Sequence, residues 1–292
     1  MQIGRAAVCS LVEALDAIRH PAQRAAGPMR AGGRMQEPER RDAASDKPFV
    51  VPCRTLPWTA PFDWLAAGWR DLRRAPALTF GFGLVLVVIS AGIAALAWWL
   101  GRFALLAALL SGFVFVAPLL GAALYDVSRT LERGGMPRTT ACIARARRIV
   151  GQAAVFAIVQ MVVLLLWSRA GMMINAFVTV EDGSLHSLLE FIAIDSVIGS
   201  VFAAITFAAS AFSLPMVADR DVDMITALVS SVNAVLRNKP ACATWAALIV
   251  ALTALGFATA FVGLALVMPW LAYAAWHGYR AILDPRDWPL LD

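Results

Sequence analysis

The chain has 292 residues, 60% of them hydrophobic and 15% charged, against about 45–50% and about 25% in ordinary soluble domains. No soluble interior can hide that excess, and the composition excludes a freely soluble globular protein. The formal net charge is +5, and no nucleic-acid partner is expected.

The first residues are rich in Arg, Ala, Gly and Pro and carry no apolar period long enough to bury, so residues 1–54 are expected to be a disordered cytoplasmic tail. Met29 and Met35 each offer an alternative start, which would leave part or all of 1–34 untranslated. The stretch "WTAPFDWLAAGWRDLRRAP" follows, and on a helical wheel Phe62, Leu65, Trp69 and Leu72 share one face while Asp63, Arg70, Arg73 and Arg74 lie largely elsewhere. That pattern predicts an interfacial amphipathic helix within 55–76, its indoles at headgroup depth and its arginines toward anionic lipid headgroups. A plain aromatic connector is the competing reading.

Beyond Pro76 the apolar residues come in blocks of about twenty, the length a helix needs to cross about 30 Å of hydrocarbon. The expected spans are 78–100, 103–125, 150–170, 192–216, 241–260 and 262–279. The runs do not alternate apolar and polar as barrel strands do, so helices satisfy the backbone in lipid. Residues 241–276 form one uncharged run, and as a single helix it would be about 54 Å long. A tight break near Gly256 to Gly263 resolves the excess. The expected fold is therefore an all-α polytopic membrane helix bundle of about six transmembrane helices over 77–283, with a short cytoplasmic tail at 284–292.

Charge gives orientation. Segments 1–77, 126–149, 217–240 and the stretch after 276 hold twelve, six, three and two Lys and Arg, leaving only Arg102 and Arg169 elsewhere. A bias of that size puts both termini in the cytoplasm. Asp195, near the start of the fourth span, reads as its cap.

Three spans end alike. "PLLGAALYDVSR" (Pro118 to Arg129) and "PWLAYAAWHGYR" (Pro269 to Arg280) share a proline, an aromatic residue seven positions on, a polar residue at eight and an arginine at eleven; "SLPMVADRDVD" adds Pro215. Proline removes a helix hydrogen bond and bends the helix, so Pro118, Pro215 and Pro269 are candidate kinks in three repeated helical hairpins. The ends would then gather Asp126, Asp219, Arg220, Asp223, His277 and Arg280 into a cytoplasmic-side polar cluster, with Arg220 and Asp223 as partners. Two readings stand for it: the floor of a cavity lined by broken helices, as transporters use, or interfacial anchors at helix ends.

Polar residues inside the spans are few. Gln152 and Gln160 lie on the third, and Thr206, Ser210 and Ser213 share a face of the fourth, where packing beside small residues or a substrate path could use them. Four cysteines without a CxxC pair and three scattered histidines offer no metal site, and no nucleotide-binding, hydrolase or zinc-protease motif is present. Neither a cofactor nor an enzymatic activity is expected.

The motifs "WLAAGWRDLRRAPALTFGFG", "APLLGAALYDVSRTLERG", "SLPMVADRDVD" and "MPWLAYAAWHGYR" together resemble an uncharacterised family of bacterial integral membrane proteins, a domain of unknown function found mainly in proteobacteria. The resemblance covers about residues 55 to 285. It implies an inner-membrane location and several helices, with no established activity, substrate or cofactor. Some members carry the label putative cytochrome c oxidase subunit. A catalytic oxidase subunit needs about six intramembrane histidines for its haems and copper. This chain has three histidines in all, at 20, 186 and 277, which excludes that role. What remains is an accessory or scaffold protein in a membrane protein complex, beside a respiratory oxidase for instance, or a transporter or permease-like protein with a cytoplasmic-side polar cavity.

Overall fold

The computed structural model of the protein describes residues 48–100, 121–177, 185–259 and 262–291, and Pro76 divides the first two helices among them. Helix α1 (Ala60–Arg74) takes Pro61 in its first turn, with Asp63 near its N-terminus and Arg73 and Arg74 in its last turn, each charge opposing the nearer end of the helix dipole. Helix α2 (Pro76–Leu100) leaves it at 102°, because proline cannot continue the ladder of α1. Thr79 secures the corner: its hydroxyl donates to the Ala75 carbonyl at 2.9 Å and meets the Tyr273 hydroxyl at 3.0 Å.

Further helices are α3 (121–132), α4 (Thr139–Arg148), α5 (Val150–Phe177) and α6 (Leu185–Ser210), then α7 (Ser213–Asp219), α8 (Met224–Arg237), α9 (Lys239–Ala258) and α10 (Leu264–Ile282). No strand occurs among the described residues beyond two isolated bridges, Cys53 with Leu283 and Arg220 with Leu290. Gly134, at φ 74°, closes α3: its N–H reaches the Leu131 carbonyl and that of Gly135 the Thr130 carbonyl, a left-handed exit that a side chain would disfavour.

Among the described residues, three helical stretches are long and apolar enough to cross a membrane, Val150–Met173, Ser196–Asp219 and Lys239–Ala258, and a fourth if α1 and the start of α2 count as one bent span. Only 11 to 22% of their most apolar windows is buried by protein, so Ile158, Val162, Leu165, Val201 and Val250 present large apolar surfaces outward. An exposed apolar belt of this kind suits lipid. The packed core lies toward one end of these spans. There α5 buries Ala153 and Phe156, α9 buries Cys242 and Trp245, and Trp64, Phe212, Tyr273, Trp276 and Tyr279 close around them.

Helix α1 lies deep in that core. It packs along α10, its inner face is Trp64, Leu65, Gly68, Asp71 and Leu72, and Phe62 of the expected apolar face stays half exposed. Glycine makes the approach possible: a Cβ on Gly68 would stand 2.7 Å from the Ala274 nitrogen, and one on Gly278 2.9 Å from the Trp64 ring. Trp64 meets Trp245 and Phe212 edge to face, with centroids 5.8 and 6.2 Å apart. Sequence periodicity marks α1 as amphipathic but does not say that another helix covers it.

Several expectations need correction. Residues 48–54 are not part of a loose tail: Val51 N–H donates to Ser230 Oγ at 3.0 Å, Arg54 N–H to the Ile282 carbonyl at 2.8 Å, and Asp284 N–H to the Pro52 carbonyl at 2.9 Å. Residues 284–291 are likewise folded back onto the core, with Trp288 buried. Asp195 falls within α6 and does not cap its start. Residues 1–47 and 101–120, the latter holding Pro118 and most of the second expected span, lie outside the described residues. The uncharged run 241–276 does break, between Ala258 and Leu264, where Thr259 Oγ1 accepts from Gly263 N–H at 2.7 Å and donates to the Gly256 carbonyl at 2.8 Å.

Pro215 acts as foreseen in kind but not in form. Lacking an N–H for the carbonyl of Ala211, it opens the helix into α6 and α7 instead of bending one continuous rod. Ser231 of α8 fills the gap. Its hydroxyl accepts from Phe212 N–H at 3.1 Å and donates to the Ala208 carbonyl at 2.7 Å, standing in for the direct bond those two groups would make in an unbroken helix. Pro269 sits inside α10, which runs on past it to Ile282.

Candidate polar cleft at the core end of the spans

Asp219 ends α7 with its carboxylate almost fully buried, and three groups converge on it. Arg129 Nε of α3 lies 3.2 Å from Oδ1; Arg220 Nε and the Tyr279 hydroxyl donate to Oδ2 at 3.1 and 2.9 Å. Arg129 Nε is close enough for ion pairing but poorly aligned for a hydrogen bond. Its two terminal nitrogens both donate to the Leu291 carbonyl at 3.2 Å. The same carbonyl accepts from Arg145 at 2.7 Å, and Arg145 Nε pairs with the buried Asp126 at 2.8 Å. A continuous chain of ion pairs and hydrogen bonds thus runs from Asp126 through Arg145, the Leu291 carbonyl and Arg129 to Asp219.

The C-terminal residues complete this network. Arg220 donates to the Trp288 carbonyl at 2.8 Å, Asp221 N–H to that of Pro289 at 3.0 Å, and Leu291 N–H to the Asp219 carbonyl at 2.9 Å. Beside it opens a cleft of about 280 Å³ whose charged walls are Arg129, Arg133, Arg220, Arg280, Glu132 and Asp219. Arg280 holds Glu132 Oε1 at 3.2 Å, and the Trp276 indole donates to Oε2 at 3.1 Å. Arg133 makes no ion pair among the described residues.

Of the six residues expected to cluster, Asp219, Arg220 and Arg280 line this cleft and Asp126 is joined to it through Arg145. Asp223 and His277 do other work. Asp223 Oδ1 accepts from Thr226 N–H at 2.9 Å and caps α8; that bond holds its carboxyl below the usual 3.8, against the opposing effect of partial burial. It does not pair with Arg220, contrary to the expected partnership, because its side chain is committed to its own helix. His277 meets Asp71 at 2.8 Å across the α1–α10 contact.

Arg129, Arg145, Glu132 and Tyr279 carry the cleft as much as the expected residues do. Arg129 ended the repeated motif, and its matching place to Arg280 was the available signal; Arg145 gave none beyond its charge. Cys142, buried beside Asp126 on α4, has its thiol pushed up to about 12 by burial and by that carboxylate. Of the span polar residues, Gln152 accepts from Met224 N–H at 2.8 Å and so serves the start of α8. Gln160 and Thr206 line an apolar groove between α5 and α6 with Trp167 and Phe202. No group of three or more potential metal ligands occurs among the described residues.

Residues 105–219 match the family described as "Predicted integral membrane protein (DUF2189)", a domain of unknown function. The matched stretch contains "APLLGAALYDVSRTLERG" whole and "SLPMVAD", and with them Asp126, Arg129, Glu132, Arg145 and Asp219 of the charged network. Neither the comparison with curated proteins nor that with solved structures found a match.

Proposed function

We propose that this integral membrane protein is a non-enzymatic accessory or scaffold protein of the bacterial inner membrane, acting through helix and surface contacts in a membrane protein complex such as one beside a respiratory oxidase. The supporting observation is the placement of charge: among the described residues no ion pair lies in the interior of Val150–Met173, Ser196–Asp219 or Lys239–Ala258, the pairs gathering instead at Asp219, the last residue of the second, and in the segments before, between and after these helices. Proton-coupled transport uses ionisable groups deeper in the membrane. In this reading six spans form three hairpins, both termini are cytoplasmic, and Arg70, Arg73 and Arg74 of α1 face anionic headgroups.

Purification in mild detergent tests it: a stoichiometric partner supports the scaffold, and a lone protein argues against it. The polar cleft favours a second reading, a permease-like protein, which predicts a lone oligomer with a water-filled vestibule. Reporter fusions after residues 60, 135, 228 and 288 should report cytoplasm, and fusions near 101 and 183 the opposite side; a reversed signal at 288 would remove the sixth span.

A further inference from the structure

We propose that the cleft between α3, α7 and α10 binds a phosphate-bearing anion, with Arg133 and Arg280 as the groups that grip it and Arg220 at its back wall. The charges do not balance within the cleft: four arginines face two carboxylates, Asp219 is shared between Arg129 and Arg220, Glu132 is held by Arg280, and Arg133 makes no ion pair among the described residues. An excess of two positive charges in a concave site is the condition under which a multivalent anion gains most, since low-dielectric walls strengthen its field and two forked guanidinium groups match its oxygens. At about 280 Å³ the cleft has room for a phosphate group and a short substituent.

The buried side of the cleft is rigid. Arg129 is held by Asp219 and Leu291, and Arg220 by Asp219 and Trp288, so neither has to be ordered when an anion arrives. Arg133 and Arg280 are the exposed members: Arg133 makes no ion pair among the described residues, and Arg280, paired with the exposed Glu132, can turn part of its fork to the ligand. Trp276, itself buried, borders the cleft with its N–H already used on Glu132. A lipid headgroup phosphate and a soluble phosphate share this chemistry, and the cleft's position at the end of the spans gives access to both. The inference does not depend on the scaffold reading, because it concerns what the cleft holds and not what the protein assembles with.

The test uses the full chain in nanodiscs of phosphatidylcholine. One arm adds inorganic phosphate to the buffer; the other replaces a fifth of the lipid with phosphatidylglycerol at fixed low phosphate. Thermal stability and bound ligand by native mass spectrometry are read in both. The expected result is saturable stabilisation in at least one arm, naming the source, and at least tenfold weaker binding in Arg133→Gln with Arg280→Gln. A control pair, Arg147→Gln with Arg148→Gln, removes two exposed charges from α4 outside the cleft and should leave binding unchanged. Equal weakening by both pairs would mean a diffuse basic surface and overturn the proposal, as would no binding of either probe.

Discussion

Arg129 and Asp219 stand 90 positions apart in sequence yet meet at 3.2 Å, with 3% and 4% of their side chains exposed. Removing one side of such a pair leaves a buried charge without its counter-ion, which typically costs about 3–5 kcal/mol, whereas an exposed charge contributes about 0–1. Arg129→Gln should therefore lower thermal stability in detergent far more than Arg133→Gln on the same stretch of chain. Adding Asp219→Asn to Arg129→Gln should recover part of the loss. Equal small effects would show that the pair is solvated.

The α1–α10 seam predicts a steric effect. Gly278→Val places branched carbon where the Trp64 ring already lies within 2.9 Å of a Cβ. Both helices are held on their other sides, so the strain should cost about 1–3 kcal/mol, read as a fall in melting temperature. Gly81→Ala on α2, where a Cβ meets nothing within 4 Å, is the control and should change little.

Asp223 gives a pH dependence. Its carboxyl is held below 3.8 in the fold, so its contribution is complete above about that pH and is lost as pH falls through the lower folded value. Asp223→Ala should cost about 1 kcal/mol at neutral pH through the lost cap. Asp223→Asn keeps an acceptor for Thr226 and should lose less, while flattening the acid limb of the stability profile. An unchanged acid limb in Asp223→Asn would remove Asp223 as its source.

The C-terminal residues should matter out of proportion to their number. Trp288→Ala removes a buried ring and loosens the segment whose carbonyls receive Arg129, Arg145 and Arg220. A loss of about 3–5 kcal/mol is expected. Stability equal to the unaltered chain would show that 284–291 is a free tail after all.

Cys142 is fully buried with a thiol pushed up to about 12, and at pH 8 almost none of it is thiolate. Site-resolved labelling of the folded protein should modify the partly exposed Cys53 well before Cys142, which should react only after denaturation. Early labelling of Cys142 would mean that α4 opens away from Asp126.

How much of this was readable beforehand depended on the range of the signal. The apolar blocks announced helices that could cross a membrane, since span length follows from bilayer thickness alone. The break before Leu264 followed from the same arithmetic. Pro215 marked a disturbance, but the insertion of Ser231 could not be foreseen, because nothing local to the serine distinguishes a bridging hydroxyl from a packed one. Of the polar cluster, Asp219, Arg220 and Arg280 were brought together by their place at helix ends. Asp223 was misread because a cap and an ion-pair partner look alike in one dimension. His277 and Asp71 are 206 residues apart, and no periodicity reports a contact at that distance.

That separation also bears on how the protein is made. Helix α1 leaves the ribosome with Trp64 and Gly68 uncovered, and the helix that covers them is translated about 200 residues later, a delay of about 10–40 s at ordinary elongation rates. Throughout that interval α5, α6 and α9 can enter the bilayer while the core beneath them stays open. Arrival of α10 and the residues after it closes the seam with α1, supplies Leu291 to Arg129 and Arg145, and brings Leu283 to its isolated bridge with Cys53. Nascent chains stalled before Leu264 should thus be inserted yet unsealed, and susceptible to proteolysis at α1.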